Sequence, residues 1–126
     1  MSKDPDYHRC VELFTGLHLA KRQILLPAPI VAELGYLLGT RAGTHAEATF
    51  LRSLADNDFT PVELTIQDYR RMAELVDKYA NLPLGTSDAS VIAVAERLAI
   101  TEIATLDHRH FTVVRPRHTP SLVLLP

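Results

Sequence analysis

The sequence contains only one cysteine, Cys10, among its 126 residues. A disulfide within the chain is therefore impossible, which suits a reducing compartment, and we expect a cytoplasmic protein. Cys10 falls in a helical pattern beside Val11 and Phe14. We interpret it as a small buried hydrophobic residue rather than a reactive thiol.

Long apolar segments are also missing. The start, MSKDPDYHRC, has no apolar core of a signal peptide, and no run approaches the roughly 20 apolar residues of a membrane span. Hydrophobic residues make up 47% of the chain and charged residues 22%, which indicates one soluble domain over residues 1–126. The formal net charge of −2 gives no general basic surface for nucleic acid, but a bound metal cation would add positive charge of its own.

Hydrophobic periodicity and cap residues predict an alternation of helices and short strands. The predicted helices are Asp4–Leu17, Pro29–Leu38, Thr44–Asp56 with a Thr44–Glu47 capping box, Thr65–Tyr79, and the segment 84–100. The predicted strands are Gln23–Leu26, 59–65, Glu102–Leu106 and 121–125. Strands separated by helices favour an α/β fold with a mainly parallel sheet and helices on both faces.

Glu33 is the first of three acidic residues that do not fall among the polar, solvent-facing residues of the predicted elements. It is the only charged residue in APIVAELGYLL, and Ile30 and Leu37 flank it on one helix face. Burying a lone carboxylate there would cost several kcal/mol or force it to protonate. Glu33 is therefore a carboxylate at the rim of the apolar stripe, a hydrogen-bonded core residue, or part of a functional site.

Asp88 is the second such acid, at the start of a predicted helix and on the same side as Ile92 and Ala95. One interpretation is stabilisation of the helix dipole. Because Thr86 or Ser87 can already serve as the cap, an acid on the apolar side is surplus to capping. The other interpretation is a functional carboxylate that a positive charge is meant to meet.

Asp107 is the third acid, at the end of the predicted strand Glu102–Leu106. It either caps the following HRHF turn or points into the crevice beyond the carboxyl ends of parallel strands, where ligands bind. Carboxylates that converge there would repel each other unless a hard divalent cation such as Mg²⁺ lay between them. The six histidines are scattered and no Cys/His cluster has zinc spacing, which argues against zinc.

Positive charge is concentrated after Asp107, in HRHFTVVRPRH. Arginine contacts the phosphate backbone of RNA without reading sequence, so Arg109, Arg115 and Arg117 are candidate RNA-binding residues. The alternative is a solvated turn before the last strand.

Three segments, in this order and spacing, resemble the PIN domain, and most closely its VapC-type toxins of bacterial toxin–antitoxin pairs. These segments are LPAPIVAELGYLL, LPLGTSDASVIAVAERL and EIATLDHRHFTVVRP, and DPDYHRCVELF resembles the first helix of that group. The resemblance covers nearly the whole chain. It implies a three-layer α/β/α domain that hydrolyses RNA phosphodiester bonds with Mg²⁺ or Mn²⁺.

The resemblance also implies roles for the three acids. Glu33, Asp88 and Asp107 match the second, third and fourth members of the family's acidic quartet. Asp88 would contact the metal directly, Asp107 would assist it directly or through water, and Glu33 would orient the metal or its waters. A cognate antitoxin protein and a homodimer are the implied partners, besides the RNA substrate.

One departure from the family pattern keeps a second function open. The family begins with a strand that ends in Asp followed by Thr or Ser, whereas MSKDP leads directly into the first predicted helix. We therefore expect an N-terminally shortened PIN-like domain. It is either a metal-dependent endoribonuclease toxin or a catalytically impaired binding module that still binds an antitoxin. A phospho-accepting receiver domain would need a lysine late in the chain, but the last lysine is Lys78.

Overall fold

The structure is a computed structural model that describes residues 23–104 and 108–125, without the side chains of residues 104 and 108–110. The predicted helix Asp4–Leu17 lies outside the described residues. The chain forms two compact units, Met1–Glu63 and Leu64–Pro126. The prediction of a single domain over residues 1–126 stays a prediction.

The first unit contains a pair of parallel strands, β1 (Leu25–Pro27) and β2 (Thr60–Val62). Leu26, at the centre of β1, is buried and lies opposite Pro61. Both strands fall where the apolar runs predict them, except that Pro27 belongs to β1 instead of closing it. A short strand tolerates Pro61 because an edge position does not require its missing N–H.

Helices α1 (Ala28–Ala42) and α2 (Thr44–Ala55) connect these strands. The prediction that the first of them stops at Gly39 is wrong, because Gly39 lies inside α1 and faces α2. A Cβ at Gly39 would come within 2.6 Å of Glu47 Oε1, so glycine lets the two helices approach closely. The break comes at Gly43, whose φ of 96° lies in the region that favours glycine.

The predicted capping box between Thr44 and Glu47 is wrong. Thr44 is the first residue of α2, and Gly43 is its N-cap, without a side-chain hydrogen bond. The Glu47 carboxylate lies against Gly35 and Gly39 of α1. Contact between the two helices therefore decides where this side chain goes, and a local sequence pattern does not report that contact.

The second unit, within the described residues, contains three helices and another pair of parallel strands. These elements are α3 (Ile66–Lys78), α4 (Thr86–Leu98), β3 (Glu102–Ala104), α5 (His108–Val113) and β4 (Val123–Leu125). Ile103 of β3 lies opposite Leu124 of β4. The segment predicted as a short turn after the third strand is the helix α5.

Thr65 caps α3, as predicted. The Asp68 N–H donates to Thr65 Oγ1 at 3.0 Å, and the Thr65 N–H donates to Asp68 Oδ2 at 3.0 Å, which completes a capping box. Among the apolar residues of α3, Met72 and Leu75 are buried, but Tyr69 is 58% exposed. The buried stripe of α3 is therefore narrower than its apolar residues predict.

The core of the second unit surrounds α4. Small and branched residues of this helix are buried, namely Ala89, Ile92, Ala93, Val94 and Ala95. The other buried members of the core come from α3, β3, α5 and the flanking segments, and are Met72, Leu75, Leu84, Ile103, Phe111, Val114 and Leu122. In the described part of the chain, no helix combines the length and apolar character needed to cross a membrane.

Candidate active site

Asp88 lies in the first turn of α4 and is half-buried. Gly85 is the N-cap and makes no side-chain cap hydrogen bond, so the prediction that Thr86 or Ser87 caps the helix is wrong. Asp88 is the acidic residue of this first turn, where the positive end of the helix dipole favours a carboxylate. Asp88 therefore complements the positive end of the helix dipole.

The apolar face expected below Asp88 is confirmed. Ile92 and Ala95, one and two turns further along α4, are 0% and 2% exposed. Asp88 thus lies where a buried helix face reaches its partly exposed end. This position limits the water around the carboxylate without removing it, which suits a ligand of a hydrated cation.

Glu33 is exposed on α1, and its neighbours Ile30 and Leu37 are half-buried. The buried residue of this helix is Gly35. Glu33 therefore lies at the rim of the apolar stripe, which is one of the positions considered for it in the sequence. An exposed carboxylate keeps its hydration, so the desolvation cost weighed for a buried Glu33 does not arise.

Asp107 lies outside the described residues. The described part of β3, Glu102–Ala104, falls within the predicted strand, and residues 105–107 are outside the described residues. The prediction that Glu33, Asp88 and Asp107 share one site therefore stays a prediction. Among the described residues, no group of three or more His, Cys, Asp or Glu side chains is placed to hold a metal ion, and Asp107 is not in that set.

The candidate RNA-binding arginines are partly engaged within the protein. Arg115 Nη1 donates to the carbonyl oxygens of Thr112 and Val113 at 2.8 and 3.3 Å, at the end of α5. Arg117 Nη2 donates to Glu74 Oε2 at 2.7 Å, although the Arg117 side chain is 66% exposed. The side chain of Arg109 is outside the described set. Phosphate would thus have to compete with Glu74 for Arg117.

Asp68 is a buried acid that the sequence analysis missed. Its side chain is 3% exposed and accepts a hydrogen bond from Arg97 Nε, 3.1 Å from Oδ1 and 3.0 Å from Oδ2. Burial pushes the pKa of Asp68 upwards, but hydrogen bonds from Arg97 and from the Thr65 N–H outweigh it and hold the pKa below its ordinary value. The capping box could have been predicted from the sequence, because Asp68 stands three residues after Thr65. No sequence pattern predicts the ion pair between Asp68 and Arg97.

Glu96 is the second missed acid, and it lies where three segments meet. Its carboxylate accepts from Arg71 Nε at 2.8 Å and from Arg71 Nη2 at 2.9 Å, and Oε2 also accepts the Arg117 N–H at 2.9 Å. Burial by itself would raise the pKa of Glu96. The hydrogen bonds from Arg71 and from the Arg117 N–H outweigh burial, so the net effect is a lowered pKa. The same pair raises the pKa of Arg71. Arg71 stands among charged residues of α3, yet its side chain is only 14% exposed.

A groove of about 310 Å³ lies between α3 and the start of α4. Its lining is mainly apolar and consists of Tyr69, Met72, Ala73, Val76, Asp77 and Thr86. Successive residues of a helix are turned by about 100°, so Thr86 and Asp88 point to nearly opposite sides of α4. The groove is therefore separate from the Asp88 carboxylate.

Helices alternating with parallel strands place the protein in the α/β class. The sequence profile of the PIN domain matches residues 1–115. The chain belongs to the PIN domain family, as its motifs predict.

Two similar proteins come from Mycobacterium tuberculosis. Ribonuclease VapC26 (strain ATCC 25618 / H37Rv) is 38% identical over 87 residues, which are 69% of this chain and 64% of that protein. This chain thus aligns with just under two thirds of that relative's length. The crystal structure of VapC20, a sarcin–ricin loop cleaving toxin, superposes with a TM-score of 0.71 at 16% identity, over 86% of this chain and 81% of VapC20. The predicted α/β PIN-like fold is confirmed by this likeness.

Proposed function

We propose that this chain is a metal-dependent endoribonuclease of the VapC toxin type. The observation that carries the proposal is the position of Asp88, half-buried in the first turn of α4, in a chain of the PIN domain family. The similar protein VapC26 is named a ribonuclease. RNA phosphodiester bonds are the proposed substrate.

The proposed metal site consists of Asp88, Asp107 and Glu33. All three offer carboxylate oxygens, the donors that Mg²⁺ and Mn²⁺ prefer. Asp88 and Asp107 hold the cation, and Glu33, which is exposed, orients it or its waters. A bound Mg²⁺ or Mn²⁺ would make water more acidic and neutralise charge on the phosphate.

The exposed arginines are proposed to steer and hold the RNA backbone. Arg115 and Arg117 both follow α5 closely and both are exposed. Backbone contacts of this kind position RNA and carry no sequence information. The choice of RNA must therefore come from other contacts.

The experiment is a cleavage assay on single-stranded RNA with Mg²⁺, comparing wild type with Asp88→Asn. The amide of the variant keeps the size of the side chain and removes its charge. We expect cleavage by wild type, its loss in EDTA, and at least a hundredfold lower rate for Asp88→Asn, since a direct metal ligand is removed. Asp77→Asn, an exposed acid near the end of α3, is the matched control and should cleave at the wild-type rate.

The alternative, a catalytically impaired module that binds an antitoxin, predicts a different result in the same assay. Wild type would then fail to cleave RNA at any Mg²⁺ concentration while still binding the antitoxin encoded beside it. We propose that such an antitoxin exists and that the chain is a homodimer. Light scattering across a dilution series checks the second point, and a monomeric mass at the highest concentration would contradict it.

A further inference from the structure

A stripe of apolar residues lies on the exposed side of α3. Ile66, Tyr69 and Val76 are 71%, 58% and 37% exposed, and Ala73 between them is also exposed. Single exposed apolar side chains are common on protein surfaces, but these residues share one helix face. Their spacing of three, four and three residues is that of a helix seam that packs against another helix. These residues are called the outer stripe below.

The core of the second unit is reached through a different face of α3. The buried residues of this helix are Asp68, Met72 and Leu75, and helical geometry turns them by roughly 100° from the outer stripe. The groove of about 310 Å³ that includes Tyr69, Met72 and Val76 joins the two faces. The outer stripe is therefore apolar surface that remains open to solvent while the neighbouring face of the same helix is buried.

The outer stripe is complementary to itself when two copies of α3 pack antiparallel about a two-fold axis. An axis beside Arg71 places Ile66 opposite Val76 of the second copy, because both residues are five positions from Arg71. The same axis places Tyr69 opposite Ala73, since both are two positions away. A large side chain then faces a small one twice, as in well-packed helix layers. The paired region extends over about 15 Å of helix.

Two charged residues beside the outer stripe favour the antiparallel orientation. Arg70 follows Tyr69 and Asp77 follows Val76, and both charged residues are exposed. In antiparallel packing, Arg70 of each copy lies on the same flank as Asp77 of the other, so opposite charges meet twice. Both side chains lean towards the start of their own helix, and in this arrangement they lean towards each other. Parallel packing would instead place each charge beside its own counterpart, which is repulsive.

We propose that two copies of this chain pair through the outer stripe, with their α3 helices antiparallel and Arg70 of each copy beside Asp77 of the other. The inference assigns a surface to the proposed homodimer and rests on that part of the proposed function, but it needs neither metal nor RNA. Stable interfaces bury about 1,200–2,000 Å² in total, and one helix from each copy buries less. We therefore expect a weak dimer, with a dissociation constant in the micromolar range.

The test is analytical ultracentrifugation of the full chain over a concentration series, with charge-reversal variants of the two flanking residues. Arg70→Glu and Asp77→Arg each bring like charges together at both contacts, and each variant alone should dimerise at least tenfold more weakly than wild type. An equimolar mixture of the two variants should dimerise as wild type does, because each variant then presents the charges that the other needs. Arg70 and Asp77 are seven residues apart, too far to contact each other within one helix. Rescue in the mixture therefore reports contacts between copies.

Lys78→Glu is the matched control. It reverses a positive charge on the same helix, as Arg70→Glu does, but exposed Lys78 lies on the side of α3 away from the outer stripe. It should dimerise as wild type does. Asp77→Asn removes a charge without creating repulsion and should weaken the dimer by less than about threefold, because exposed ion pairs contribute little. Tyr69→Ala removes the largest side chain of the outer stripe and should weaken the dimer at least tenfold.

The outcomes separate this inference from the proposed function. If wild type dimerises and the charge reversals leave the dissociation constant unchanged, the dimer uses another surface, and the inference is overturned while the homodimer stands. A wild type that stays monomeric at the highest concentration overturns both. If Tyr69→Ala lowers the melting temperature and leaves the dimer unchanged, the outer stripe packs within its own chain and the inference is overturned. RNA cleavage by wild type decides the ribonuclease activity independently of these results.

Discussion

Replacing Asp68 by alanine should destabilise the second unit more than replacing an exposed acidic residue does. Asp68 is 2% exposed, caps the start of α3 together with Thr65, and pairs with Arg97 near the end of α4. The variant removes the acceptor of the Thr65 N–H and the carboxylate that faces Arg97. It also removes the negative charge from the first turn of α3, where the helix dipole favours one.

The size of the effect follows from these contacts. The bond to the Thr65 N–H contributes about 1 kcal/mol, and a hydrogen bond between charged partners about 1.5–3 kcal/mol. Arg97 is 32% exposed, so water can partly replace the carboxylate and the lower end of that range applies. The lost interaction with the helix dipole adds about 0.3–1 kcal/mol. We therefore expect the free energy of unfolding to fall by about 3 kcal/mol, a large part of the roughly 5–15 kcal/mol of a typical domain.

Urea unfolding followed by far-UV circular dichroism measures this loss. Asp77→Ala is the matched control, because Asp77 is exposed and lies in the last turn of α3, where an acid opposes the helix dipole. It should leave the midpoint unchanged or raise it slightly. A loss of under about 0.5 kcal/mol for Asp68→Ala would refute the reasoning, because buried capping and ion-pair contacts of this kind exceed that value.

Further predictions concern unfolding by acid and substitutions at residues with unusual backbone angles. The folded-state pKa values of Asp68 and Glu96 are lowered, so their contribution to stability is complete above the unfolded pKa of about 4 and is lost as pH falls through the folded values. An acid titration of wild type by circular dichroism should show unfolding below pH about 4, and Asp68→Ala should show a shallower loss over that window. Ala99 ends α4 with a φ of 55°, so Ala99→Gly should raise the free energy of unfolding by about 1 kcal/mol in urea melts. Ala73→Gly, in the middle of α3, should instead lower it by about 0.5–1 kcal/mol, and a gain for both variants would contradict the argument. Gly43→Ala should cost about 1–3 kcal/mol in the same assay because of its φ of 96°, and an unchanged midpoint would show that the turn adapts.

Local signals predicted most elements well. Thr65 begins a capping box, and α3 starts one residue later. The alternation of strands and helices gave the parallel pairing, since short strands joined through helices cannot pair as hairpins. The buried face of α4 under Asp88 could be predicted because helical periodicity places Ile92 and Ala95 there.

Contacts between distant residues account for the errors. Gly39 looks like a helix end, yet it permits the approach of Glu47 from α2. Glu96 and Arg71 look like solvated charges, but they are 25 residues apart and meet between α3 and α4. No spacing rule connects such pairs, so neither the pairing of Glu96 with Arg71 nor that of Asp68 with Arg97 could be predicted.

The proposed function requires Glu33, Asp88 and Asp107 to serve one divalent cation. The most direct measurement is NMR of the isotope-labelled full chain titrated with Mn²⁺, which broadens signals of nuclei close to the ion. We predict strong broadening at all three residues at the same Mn²⁺ concentration, reversed by excess Mg²⁺. Broadening at Asp88 that leaves Glu33 or Asp107 sharp would contradict the shared site.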